Sequence, residues 1–214
     1  MIQSFKNAGT EDIFNGRRTQ AARRTCPQSL WKIATRKLDQ LDAVIALHEL
    51  RIPPGNRLEA LKGDRQGQQS MRIHDQSRLC FRWTDTGPEA VEIVDYHESA
   101  PEGGGGRVSI RIPTHRVPTH PGEMLLEEFM RPMGLTQRDV AKAIRVPYQR
   151  INELVNGRRG MTPSTALRLA KYFGMSADFW MNLQLRWDLY HAQQSEAKEL
   201  AVIQPYPVSA HAVG

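Results

Sequence analysis

Two sets of residues in this 214-residue chain have types and spacings suited to chemistry. In the first half, Lys62, Arg65 and Arg78 bring positive charge, and Glu59 stands three residues before Lys62. Asp95, Tyr96 and His97 follow one another at the end of an apolar run. A carboxylate accepts a proton, a phenol donates one, and an imidazole titrates near neutrality. Cations steady negative charge that develops on a reacting group. Together they suit acid–base chemistry at an anion, with Glu59 as a base if it faces the same cleft. Each has a plainer role as well. "KGDR" at 62–65 reads equally as a solvated turn, Arg78 as an ion-pair partner of Asp95 or Glu92, and His97 as an exposed strand end. In a regular strand Asp95 and His97 share one face while Tyr96 points away. No His, Cys, Asp or Glu cluster has metal-ligand spacing, so no metal and no cofactor are expected.

The second set lies in LTQRDVAKAIRVPYQRINELVNGRRG, residues 135–160. Val140, Ala141, Ile144, Ile151 and Leu154 recur at helical spacing and face inward. Tyr148, Gln149, Arg150 and Asn152 are then left outward. Gln, Arg and Asn carry paired donors and acceptors that match base edges in a major groove. Gln137 and Arg138 open the preceding helix, where side chain and dipole can meet a phosphate. Arg158 and Arg159 serve phosphates or cap the helix. An outward Gln or Arg is more often only part of a solvated face.

The elements that must position these residues differ between the halves. Before residue 98, MIQSF reads as a short strand, and Leu30 or Trp31, Ala34, Leu38, Leu41 and Ile45 mark one amphipathic helix. Three strand signals follow, QQSMRIHD, RLCFRWTD and AVEIVDYH, with DTGP as the turn before the last. Leu79, Phe81 and Trp83 share one face, and Arg78, Cys80 and Arg82 the other. A helix followed by consecutive strands implies an α+β domain with an antiparallel sheet. After residue 118 the pattern is helical throughout. Thr136 with Asp139 resembles a capping box. Gly157 suits a left-handed helix end, Thr162 and Pro163 a helix start. Trp180, Leu183, Trp187 and Tyr190 form an apolar stripe on the last helix.

Between the halves, SAPEGGGG has no apolar period, and the proline-bearing RVSIRIPTHRVPTHPG reads as extended. The expected division is therefore 1–98, a flexible Gly/Pro linker at 99–117, a helical domain at 118–194 and a loosely ordered tail at 195–214. A tether of about 20 residues spans roughly 65 Å stretched and leaves geometry free.

Whole-chain composition narrows the class. The net charge is +6, and each half carries +3, which fits a polyanionic partner for both. Two cysteines, Cys26 and Cys80, lack zinc or disulfide spacing, and Cys80 is expected to pack. No apolar run is long enough to span a bilayer, so no membrane partner is expected. The start lacks a signal-peptide core, and a cytoplasmic location is expected.

Residues 112–194, HPGEMLLEEFM through FWMNLQ, resemble the HigA-type antitoxins within the Xre/lambda-repressor helix-turn-helix class. Residues 1–97, on RLEALKGDR, SRLCF and the closing DYH, resemble the HigB toxins of the RelE superfamily. The resemblance implies a microbial-ribonuclease fold for the first half, which would cleave mRNA in the ribosomal A site. Such cleavage needs a base for the 2′-hydroxyl, charge on the phosphate and an acid for the 5′-oxygen. It implies that the second half binds operator DNA as a homodimer, represses its own operon and restrains the toxin, within one chain or between chains. Restraint works by covering the site or by bulk. Several relatives carry His where this chain has Glu59, and aromatics where it has Gln69 and Ser77. Those departures predict a weakened toxin. They also motivate a runner-up, a transcriptional regulator whose first domain is an inactive interaction module.

Overall fold

The computed structural model describes residues 1–95 and 112–204. The first half opens with an extended segment that runs parallel to the last strand and bridges it at Phe5 and Val91. Helix α1 (Ala8–Asn15) and helix α2 (Gln20–Thr25) follow, capped by the side chains of Asn7 and Thr19. Helix α3 (Trp31–Ala43) buries Ala34, Leu38 and Leu41 at the expected spacing. Strands β1 (Glu59–Ala60), β2 (Gln68–Arg72), β3 (Ser77–Thr84) and β4 (Gly87–Asp95) form an antiparallel sheet in the order β1-β2-β3-β4. This is the α+β architecture that the strand signals predicted. Met71, Leu79 and Ile93 are register neighbours and join the core with Leu38 and Leu41. By strand alternation Ser70, Cys80 and Glu92, also register neighbours, lie on the other face.

The second half is all helical. Helix α4 (Pro121–Met124) continues as a π-helical stretch, Leu125–Met130. Helix α5 (Gln137–Ala143), α6 (Tyr148–Val155), α7 (Pro163–Phe173) and α8 (Ala177–Ser195) follow. The Thr136–Asp139 capping box forms: Asp139 N–H donates to Thr136 Oγ1 at 3.2 Å, and Thr136 N–H to Asp139 Oδ2 at 2.9 Å. The Thr136 bonds hold the Asp139 carboxyl below its ordinary range. Helix α6 ends in a Schellman arrangement at Gly157 (φ 67°), with Arg158 N–H donating to Glu153 O at 2.8 Å. Trp180 and Leu183 are fully buried, and Trp187 packs edge-on against His120.

Two expectations change. Residues 195–204 are not loose, because α8 runs to Ser195 and a short helix α9 (Ala197–Val202) follows. The chain also does not leave the halves free of one another. Of the linker expected at 99–117, residues 99–111 lie outside the described residues, but its end is anchored. His115 N–H donates to Asn15 O at 2.8 Å, and Arg116 Nε to Phe14 O at 2.6 Å. Arg116 forks onto Asp39 at 2.6 and 2.8 Å, and the Thr119 hydroxyl and N–H reach the same carboxylate at 2.6 and 2.9 Å. Arg116 crosses directly over Gly16 (φ 81°), where an added Cβ would lie 2.6 Å from the arginine Cβ.

Helix α3 is the common wall. One side faces the sheet, and the polar side faces the second half. Glu128 accepts from Arg36 Nε at 2.5 Å and from the Lys37 ammonium, which also donates to Asn56. Arg186 on α8 donates to Asp42 through Nε at 2.5 Å, and Ile2 N–H donates to the same carboxylate at 2.6 Å. Beyond α3, Glu49 accepts from Ser176 N–H at 2.6 Å, and Ala43 O accepts from Asn182 at 2.9 Å. Arg36, Lys37, Asp39, Asp42, Glu49, Glu128 and Arg186 are all buried. Ion pairs so far from water hold geometry because removing one partner strands the other.

Candidate functional site

The first-half site is built on the sheet face opposite α3. At its floor Glu92 on β4 is 3 % exposed. Its Oε1 accepts from Lys6 Nζ and lies 3.2 Å from Arg65 Nη1. Arg65 ends the 3-10 turn Gly63–Arg65, which Gly63 enters in the left-handed region at φ 62°. Beside Glu92, the neighbouring Cys80 is buried. Burial pushes its thiol pKa up, against Arg65 and the bonds from Ser70 and Arg65, which pull it down. Ser70 pairs with Cys80 in register and accepts from Arg78 Nη1 at 3.3 Å. Arg78 also reaches Glu59 Oε1 at 3.3 Å and Arg57 O at 3.5 Å.

The expected residues therefore fall into two groups. Glu59 and Arg78 pair, and Arg65 joins them through Ser70, Cys80 and Glu92. Lys62 is exposed at the start of the Gly63–Arg65 turn. Asp95 closes β4 opposite Ser77, and Tyr96 and His97 lie outside the described residues. Glu92, weighed as a partner of Arg78, instead holds Lys6 and Arg65. Lys6 and Ser70 were missed. Lys6 is remote in sequence and arrives only because the first segment runs along β4. Ser70 meets Cys80 only once the register is known. Gln69 and Ser77 stand, by alternation, on the strand faces of Met71 and Leu79. The lost aromatics thus belong to the packed side, and Ser77 is 3 % exposed there.

In the second half, the outward face of α6 meets the start of α5. Asn152 Nδ2 donates to Gln137 Oε1 at 3.0 Å and lies 3.5 Å from Tyr148 Oη. The Arg138 guanidinium sits 5.8 Å from the Tyr148 ring centre. Gln137, Arg138, Tyr148 and Asn152 thus form one surface. Gln149 and Arg150 stand on the first turn of α6 beside it. Ile151 and Leu154 are buried beneath. Arg158 is exposed beyond the helix end, while Arg159 is tied to Glu153 at 2.8 Å. Gly122 lets α4 reach α6, since a Cβ there would fall 1.8 Å from Leu154 O. Among the described residues, no group of three or more His, Cys, Asp or Glu side chains is placed to hold a metal, and no helix is long and apolar enough to cross a membrane.

An α+β domain with a cationic sheet face, docked to a helix-turn-helix domain, defines a two-part protein of toxin and DNA-binding classes. Comparison with known proteins gives the particular families. Residues 3–97 match the RelE-like toxin of the type II toxin–antitoxin system HigB, and residues 126–180 match a helix-turn-helix family. Toxin HigB-1 of Vibrio cholerae is 40 % identical over 85 residues, covering 40 % of this chain and 86 % of that protein. Antitoxin HigA-1 of the same organism is 35 % identical over 96 residues, covering 45 % and 90 %. Virulence-associated protein I of Dichelobacter nodosus is 46 % identical over 94 residues, covering 44 % and 86 %. Among solved structures, the Pseudomonas aeruginosa antitoxin HigA with its higBA promoter is 36 % identical, covers 42 % of this chain and 99 % of its own, and has a TM-score of 0.41. The chain belongs to the HigB–HigA toxin–antitoxin family, with both members fused in one polypeptide and the toxin first.

Proposed function

We propose that the first half is a metal-independent, ribosome-dependent mRNA endonuclease, restrained by the second half, which binds operator DNA as a homodimer and represses its own operon. The observation that carries this reading is the pairing of a cationic face with a docked antitoxin-type domain on the opposite side. Arg65 and Arg78 supply positive charge for a scissile phosphate. Glu59 is the base candidate on the described residues, and Asp95, Tyr96 and His97 are the other acid–base candidates. Lys62 stands exposed at the mouth. In the second half Gln137, Arg138, Tyr148, Gln149, Arg150 and Asn152 form the DNA face, with Arg158 positioned for a phosphate.

The bonds between the halves described above fall on α1, α3 and the turn after α3, behind the sheet. That placement favours restraint by bulk: the docked domain keeps the toxin out of the ribosomal A site rather than plugging its cleft. The test is expression of residues 1–97 alone in bacteria, beside Lys62→Ala and His97→Ala copies. Growth arrest with mRNA cleavage by the first and not by the others is expected. A folded fragment that does neither sinks the nuclease reading and leaves the regulator with an inactive interaction module.

A further inference from the structure

The antitoxin-type half carries two exposed stripes that its own chain leaves uncovered. On α7, Ser164, Leu167, Arg168, Lys171 and Tyr172 follow helical spacing and, with Ala143, Ile144 and Arg145 at the end of α5, line a groove of ≈ 810 Å³. Leu167 is 63 % exposed and Tyr172 40 %. Arg168 is pinned along the groove by its bond to Ile144 O at 2.8 Å, while Arg145 and Lys171 add positive charge. The second stripe is on α9. Glu196, Glu199, Leu200 and Ile203 share one helical face, and Leu200 and Ile203 are 45 % and 66 % exposed. No residue of α9 is buried.

A helix of six residues is marginal in water unless another surface covers its apolar side. The two stripes complement each other, since each has two large apolar residues, one flanked by cations and the other by carboxylates. The α9 helix extends from the end of α8 and does not occupy the groove of its own chain. We propose that two copies dimerise through these stripes, with α9 of each copy lying in the α5–α7 groove of the other. Leu200 and Ile203 then cover Leu167 and Tyr172, and Glu196 and Glu199 face Arg145 and Lys171. The arrangement is isologous, so each dimer makes the contact twice and the pairing closes. It names the surface behind the homodimer of the operator-binding reading and in that respect rests on it.

Sedimentation velocity on the full chain, without DNA, tests the surface. Wild type is expected at twice the 24.3 kDa chain mass. Leu167→Glu and Ile203→Glu each bury a charge against apolar groups and are expected to weaken dimerisation at least about tenfold. Both positions are exposed in the single chain, so circular dichroism and melting should match wild type. Mixed in equal amounts, the two variants should regain part of the association, because one of the two contacts is then intact. A dimer that survives either substitution, or a mixture that regains nothing, overturns the pairing. Binding to the DNA upstream of the gene separates the two readings. A wild-type monomer that still binds that DNA removes the surface alone, and a dimer that ignores the DNA removes the operator reading alone.

Discussion

Replacing Glu128 by glutamine is expected to loosen the union of the two halves more than any surface change. Its carboxylate meets Arg36 Nε at 2.5 Å and the Lys37 ammonium, and these side chains are only 5 %, 9 % and 5 % exposed. Glutamine keeps the shape and removes the charge. Two cations then remain buried without their counter-ion, and breaking such a pair from one side costs about 3–5 kcal/mol. Arg36 keeps a second carboxylate, Glu123, at 3.5 Å, but that group is 36 % exposed and compensates only in part. The expected loss is therefore at the lower end, about 3 kcal/mol, or roughly a hundredfold in the equilibrium. Urea unfolding of the full chain followed by tryptophan fluorescence reads it, since Trp31 starts α3 and Trp180 is buried in the second half. Glu127→Gln is the control. Its partner Arg131 is 64 % exposed, and such pairs contribute under about 1 kcal/mol. Equal and small losses in both variants would refute the buried-charge argument.

Three further outcomes follow from the same structure. Burial alone would raise the Glu128 pKa, but Lys37 and Arg36 outweigh it and hold the carboxyl below its ordinary 4.5. A depressed carboxylate stabilises fully above its unfolded pKa and loses that contribution as pH falls through the folded one. The stability gap between wild type and Glu128→Gln should accordingly be full at neutral pH and shrink only below about 4.5; a gap that widens on acidification contradicts the assignment. Gly122→Ala puts a methyl 1.8 Å from Leu154 O and should destabilise the helical half by about 1–3 kcal/mol in thermal melts; an unchanged melt would show that α4 and α6 part without cost. Arg150→Ala should weaken operator binding by about 1–3 kcal/mol and relax base preference if the contact is bidentate. Unchanged affinity in a gel shift across operator variants removes Arg150 from the reading surface.

What could be read in advance depended on whether a signal was local. The Thr136–Asp139 box, the Gly157 and Gly174 helix ends and the Thr162–Pro163 start are short-range steric and hydrogen-bonding rules, and each forms where its residues stand. Helix α1 escaped notice because only Ile13 and Phe14 mark its apolar side, and Asn7 and Gly16 identify its ends only once the helix is seen. The polar side of α3 was unreadable for a different reason. Arg36, Lys37, Asp39 and Asp42 look like a solvated face, and nothing local says that Glu128, Arg116 and Arg186 will arrive from 77 to 144 residues away. The same limit applied to the site. Arg65, Arg78 and Glu59 were named from charge and resemblance, but Lys6, Ser70 and Glu92 needed the strand register to bring them together.

The central claim is that one chain holds a ribosome-dependent nuclease together with its own restraint. The most direct measurement is primer extension on ribosome-bound mRNA exposed to residues 1–97, before and after addition of a separate fragment 112–204. Cleavage that the second fragment suppresses is the expected result, with suppression weakened when that fragment carries Glu128→Gln. Absence of cleavage from a folded first fragment, or cleavage that the second fragment leaves undiminished, would contradict the account.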